Sequence, residues 1–255
     1  MSNIKKIITT FVFVFLLSAA QAADLTVGLA GEFGSSEYKG VKSRFSDIFG
    51  YSGPVPYVAF DSKYFYTIFP QEAGIHLFKN KQISLDLTFD VISGLDPNDS
   101  DDSAVKQMDK RNTTISAGLK SSIKTPAGVF TTSFRGDILG ESDSLLARLS
   151  YRYPIPVTEV FTITPAVHIS WANDKHNNYR YSVNNAESVR SGLPVYNAAH
   201  TLTPSGGLAL NYRLNKKASV LLRGSYTFLP SEVKNSPIVD KSGIWEAGFG
   251  ILYKF

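Results

Sequence analysis

His168 and Ser170 stand two residues apart, the spacing at which a base and a hydroxyl share one face of an extended chain. Turned toward lipid, a His-x-Ser pair could serve a lipid hydrolase. Here Phe161, Ile163, Val167, Ile169 and Trp171 occupy the apolar parity, so His168 and Ser170 belong to the polar face. A nucleophile also needs an orienting group behind its base and access for substrate. No third member is in view, so the pair is read as hydrogen-bonded interior polarity, and no catalytic residue is assigned. The run Asp96-Pro-Asn-Asp-Ser-Asp-Asp-Ser103 could attract a hard cation. It lacks the central Gly and closing Glu of a helix-loop-helix calcium loop, and reads as a solvated acidic loop with at most weak divalent binding beside lipopolysaccharide phosphates. His76, His176 and His200 show no ligand spacing, and there is no Cys, so disulfides and thiolate metal sites are excluded. No metal and no cofactor is expected, and the protein is read as no enzyme.

The elements that would position these residues are strands. In Gly243–Phe255, Trp245, Ala247, Phe249, Ile251, Tyr253 and Phe255 fall on one face, and Glu246, Gly248, Gly250 and Lys254 on the other, with Leu252 among them. Aromatics at both ends of the apolar row suit a strand crossing lipid, since Trp and Tyr settle at the headgroup level. The same alternation recurs in Leu25–Phe33, Ile83–Val91, Ile115–Lys120, Phe130–Arg135, Leu145–Tyr153, Phe161–Trp171, Leu202–Leu214 and Val220–Phe228. Pro54–Phe60 is a further extended run, and Tyr64–Phe69 and Gly74–Phe78 read as two short strands around Pro70. Tight turns such as Asp61-Ser-Lys63, Lys79-Asn-Lys81, Thr125-Pro-Ala-Gly128, Pro154–Thr158 and Asn215-Lys-Lys217 alternate with long polar segments at 34–53, 94–110, 173–200 and 229–242.

This reads as an all-β fold: a transmembrane, antiparallel, up-and-down β-barrel of about 12 strands, or ten if the region 64–78 is irregular. Closure satisfies every backbone donor and acceptor within lipid, which an open sheet cannot do. Ahead of the barrel, Lys5 and Lys6 precede the apolar run Ile7–Leu17 and a small-residue site, Ala20-Gln-Ala22. Residues 1–22 are read as a signal peptide and 23–255 as the barrel. Removing the peptide lowers the formal charge from +4 to +2, which does not favour nucleic acid as a partner. The inner face would carry Glu32, Asp86, Asp90, Lys120, Arg135, Asp137, Arg148, Arg152, Arg213, Arg223, Glu246 and Lys254. Both signs are present, so these should pair and fill a narrow lumen.

Two loop stretches carry a resemblance. Tyr179–Tyr196 reads Tyr-Arg-Tyr-Ser-Val-Asn-Asn-Ala-Glu-Ser-Val-Arg-Ser-Gly-Leu-Pro-Val-Tyr. It resembles a signature of the MipA/OmpV family through Tyr181, Val183, Glu187, Ser188, Arg190, Ser191, Gly192, Leu193 and Tyr196, while Ser182 stands where the family usually has Gly. Leu229–Lys241 is similar to the family's run before its last strand, through Ser236, Pro237 and Asp240. Met108–Arg111 and Tyr38–Gly40 match more weakly. The resemblance implies an outer-membrane barrel, with lipid and lipopolysaccharide as neighbours. It also implies a non-enzymatic scaffold that joins a murein hydrolase to a penicillin-binding protein, or else an adhesin acting through its outer loops. A narrow pore for small solutes is a third reading of the lumen. The candidate motif residues are Tyr181, Glu187, Ser188, Arg190, Ser191, Gly192, Tyr196, Ser236, Pro237 and Asp240. Their loop is expected to fold over or into the barrel, with Arg190 paired to Glu187 or to an inner carboxylate.

Overall fold

The computed structural model describes residues 24–255 apart from Ser43, Ser46, Phe49 and Gly50, so the expected signal peptide lies outside the described residues. Twelve strands form the wall: β1 (Asp24–Gly34), β2 (Val55–Asp61), β3 (Phe65–Phe69), β4 (Glu72–Lys79), β5 (Ile83–Ile92), β6 (Thr114–Thr125), β7 (Gly128–Asp137), β8 (Leu145–Arg152), β9 (Phe161–Ala172), β10 (Thr201–Arg213), β11 (Ala218–Phe228) and β12 (Gly243–Lys254). Each pairs antiparallel with its neighbours in the chain, and β12 closes on β1 through Val27↔Tyr253 and Phe33↔Ala247. The two short strands around Pro70 are real strands, paired Phe65↔Ile75 and flanked by β2 and β5, which decides for twelve over ten. The segment 154–158 is more than a turn, because Ile155 and Pro156 extend the edge of β9 opposite Ile163 and Thr162.

Parity decides what each residue meets. Leu29, Leu119, Phe134, Leu149, Val167, Ile169 and Ile251 are all more than half exposed on the outer wall, where lipid rather than water covers them. Phe33 packs against Trp245 toward one end, and Tyr253 against Phe255 at the other, as interfacial girdles require. Twelve residues at about 3.3 Å each, tilted by about 40°, rise about 30 Å, enough to cross a bilayer core. With five residues β3 cannot. Its hairpin with β4 therefore ends early, at Pro70-Gln71.

The lumen face is polar and the outer face belongs to lipid, so the water-excluded core lies elsewhere. It is built from the long loops at the end away from the chain termini: Tyr38, Leu95, Val105, Met108, Tyr181, Val183, Ala198, Leu229, Val233, Ile238 and Val239 pack together there. By the rule of short periplasmic turns and long outer loops, this is the outside face. The polar segment 173–200 contains two helices, α1 (Asp174–Tyr181) and α2 (Asn185–Ser191), and 229–242 contains a single turn, α3 (Ser231–Lys234). Bridges Tyr38↔Val239 and Val41↔Ser100 draw the first loop into the same cap.

Candidate functional site

The motif residues gather in the cap and brace it. Asn184 caps α2: its side chain accepts from the Glu187 N–H at 2.9 Å, while Glu187 accepts from the Asn184 N–H at 2.8 Å. This reciprocal box turns the Glu187 carboxylate inward, where it is 2% exposed. There it also accepts from the Asp109 N–H at 3.0 Å and lies 3.5 Å from Arg111. Arg111 donates onward to the carbonyls of Arg180 and Ser182, and so fastens the 94–113 loop to the end of α1.

Around this brace, Arg180 pairs with Glu37 at 2.5 Å, the Tyr181 hydroxyl donates to Glu37, and Tyr38 donates to the Arg180 carbonyl. Burial pushes the Tyr38 and Tyr181 hydroxyls above their usual range, against the pull of Arg180. Burial opposes the Arg180 charge, but Tyr181, Tyr38 and Glu37 together hold it protonated. Ser236 donates to the Tyr181 carbonyl at 2.7 Å and Tyr196 to the Glu232 carbonyl at 2.6 Å. Ser188 and Ser191 close the end of α2 through the Leu193 and Glu187 carbonyls, and Gly192 ends it at φ 74°, a left-handed position that suits Gly. Pro237 is half-buried between buried Ser236 and Ile238, and Asp240 sits exposed beside Lys241.

One expected pairing is not formed. Arg190 does not meet Glu187 or an inner carboxylate; it donates to Asp109 at 2.6 Å and to the Gln107 carbonyl, on the cap's surface. The capping box has already drawn Glu187 away from it. The acidic loop is likewise less solvated than its composition suggests. Asp96 and Asp102 cap local turns, Asp96 pairs with Lys110 and Asp101 with Lys42, and Ser100 is buried. Among the described residues no group of three or more acidic or histidine side chains is placed to hold a metal.

Inside the wall some of the expected charges pair, while Arg148 and Arg213 bond to Ser170 and to the Glu159 carbonyl instead. Lys120 meets Glu72, Arg135 meets Asp90, and Arg223 meets Glu32. His76 lies between Asp86 at 2.6 Å and Asp61 at 2.9 Å, and Lys79 joins Asp61. Gln71, oriented with its oxygen toward the guanidinium, accepts from both Arg223 terminal nitrogens at 2.9 and 3.0 Å, so the β3–β4 hairpin tip is tied to β11. His168 and Ser170 do share the lumen face but do not bond to each other. Ser170 accepts from Arg148 at 3.0 Å, and His168 Nδ1 is buried without a hydrogen-bond partner among the described residues. A chamber of about 300 Å³ opens at the terminus end of the lumen. It is lined by Asp61, Tyr66, His76, Lys120, Lys124 and Arg152, among others.

Arg111, Glu37 and His176 join the cap although their sequence context assigns them no role. His176 is buried in α1 with Nδ1 2.9 Å from the Ser144 hydroxyl, and burial, helped by Arg180, lowers its pKa to about 3. The weak match at Met108–Arg111 includes the first and that at Tyr38–Gly40 adjoins the second, while nothing in the sequence marks His176 as a buried group.

Residues 27–255 match the family model described as MltA-interacting protein MipA, and the chain belongs to that family. It is similar to the putative outer membrane protein YiaT of Escherichia coli K12, 25% identical over 252 residues and covering 98% of each chain. The MltA-interacting protein of the same strain is 34% identical over 157 residues, 62% of this chain and 63% of that one. Outer membrane protein OmpV of Vibrio cholerae serotype O1 is 31% identical over 152 residues, 60% of this chain and 58% of that one. Among solved structures, the NanC porin aligns at a TM-score of 0.47 with 11% identity, over 90% of this chain and all of that one. The protein is an outer-membrane barrel of the MipA/OmpV kind.

Proposed function

We propose that this barrel is a non-enzymatic scaffold of the outer membrane, holding a murein hydrolase, and through it a murein synthase, at its periplasmic end. The relative named as an MltA-interacting protein supports a partner of that kind. The observation that carries the placement is the division of the two ends. Most of the motif residues outside brace the cap, whereas the periplasmic rim presents exposed turn lysines, Lys63, Lys81, Lys216 and Lys217, of which Lys63 and Lys217 rest on the rings of Tyr64 and Tyr253. Photoreactive residues at Ala127 and Lys216, cross-linked in living cells and followed by mass spectrometry, test it. Capture of murein hydrolases or synthases is expected; capture of nothing beyond abundant envelope proteins would reject the scaffold.

Adhesion is a second reading, favoured by one observation: Val189 on α2 is 87% exposed at the outer surface. A permanently open pore is disfavoured by the braced cap and by the Gln71–Arg223 tie across the lumen.

A further inference from the structure

The lumen charges neutralise one another along the wall, and the pairing leaves a remainder. Lys79 pairs with Asp61, Lys120 with Glu72 and Lys254 with Asp24 at 2.8 Å, while Asp86 is held by hydrogen bonds from His76 and Ser84. Two cations lining the same chamber, Lys124 and Arg152, have no carboxylate partner among the described residues. Register places them together. Lys124 stands opposite Val129, and Val129 opposite Arg152, so they lie at one level, two strands apart, on the lumen face. Their backbones are therefore about 10 Å apart.

We propose that this chamber is a periplasm-facing binding site for a small dianion, a solute carrying two carboxylates or a phosphate, held between Lys124 and Arg152. Two like charges side by side on one wall of the mouth, both exposed to the chamber, concentrate anions there. Arg152 offers a planar fork suited to an oxyanion, and Lys124 a mobile point charge. Neutral donors complete the wall, since Ser122, Asn80 and Gln82 also line the chamber. At about 300 Å³ the space matches the smaller end of metabolite sites. The chamber is entered from the periplasm, because turn residues form its mouth, while the Gln71–Arg223 tie and the loop cap lie toward the other end. This site does not depend on the scaffold reading, since a partner on the turn lysines and a solute in the lumen use different residues.

The test uses the full processed chain, purified in detergent, with equilibrium dialysis at low ionic strength. The probes are radiolabelled adipate and glycerol 3-phosphate, with the neutral diamide of adipate as control. Saturable binding of at least one dianion, absent for the diamide and weakening with salt, is expected. Lys124→Gln and Arg152→Gln should each weaken it by about tenfold or more. Lys234→Gln, on the outer cap, should leave it unchanged. Heat-modifiable migration on gels confirms that each variant still forms the barrel. Which dianion binds more tightly separates a carboxylate from a phosphate solute. No saturable binding of either dianion, equal binding of the diamide, or full affinity in folded Lys124→Gln and Arg152→Gln would overturn the proposal.

Discussion

The Arg223 side chain lies flat across Gly248. Arg223 on β11, Gly248 on β12 and Glu32 on β1 are in line across three strands, and a Cβ at position 248 would come within 2.8 Å of Arg223 Nε and 2.9 Å of its Cγ. The missing side chain lets the guanidinium pass over the middle strand to reach Glu32 on the far side and Gln71 on the hairpin tip. One residue thus spans three strands of the wall, along a path that depends on a second residue having no side chain.

Gly248→Val should therefore release the tie without removing any charge. The β3–β4 tip loses its anchor, and the outward-facing side of β12 is untouched. In planar bilayers the variant should pass more current than the parent, and Arg223→Ala should do the same. Because Arg223 and Glu32 are each more than a third exposed, the cost in stability should be only about 1 kcal/mol. Currents equal to those of the parent in both variants would show that the tie does not govern the lumen.

The cap makes a sharper contrast between two members of one motif. Glu187 is buried and satisfies the N–H groups of Asn184 and Asp109 beside the Arg111 charge. Glu187→Ala strands both N–H groups and leaves the buried Arg111 charge without its carboxylate, and should loosen the cap by about 3 kcal/mol. Arg190 and Asp109 are 42% and 59% exposed, so Arg190→Ala should cost less than about 1 kcal/mol. Protease added to intact cells reads the difference: the outer loops of Glu187→Ala should be cut while those of Arg190→Ala resist. Equal resistance would mean that the buried carboxylate does not hold the cap.

These two residues also show where the sequence could and could not be read. The wall was legible, because lipid outside and paired charge inside force every second residue of Ile83–Val91 or Leu145–Tyr153 to one side. The cap was not. Its core comes as single residues, Val105, Met108, Val183, Ile238 and Val239, from separate loops with no period to join them. Arg190 lies three residues after Glu187, helix neighbours by spacing, so an ion pair was a fair reading. Backbone N–H groups at the start of α2 competed for the carboxylate and drew it inward. The His168–Ser170 pairing failed similarly: parity placed both in the lumen, but the neighbouring strand supplied Arg148, and it reached Ser170.

His176 gives the cap a dependence on acid. The ring is 8% exposed and sits at the base of α1, with Ser144 at its Nδ1 and Asn173 capping the same helix onto Leu145. Its pKa, 6.5 when unfolded, is lowered to about 3 by burial and by Arg180, so the folded cap keeps it neutral. The unfolded segment binds a proton between these values and the folded one does not. The stability this His permits is therefore complete above about pH 6.5 and declines as pH falls toward 3, by up to about 1.4 kcal/mol per pH unit. The stability of the cap against urea, read at each pH from 4 to 8 by near-ultraviolet circular dichroism, should fall as the pH is lowered. Replacing His176 with Gln keeps a polar group toward Ser144 but removes the titration, so that variant should show a flatter profile across the same range. A profile as steep as that of the parent would place the acid-sensitive group elsewhere in the cap.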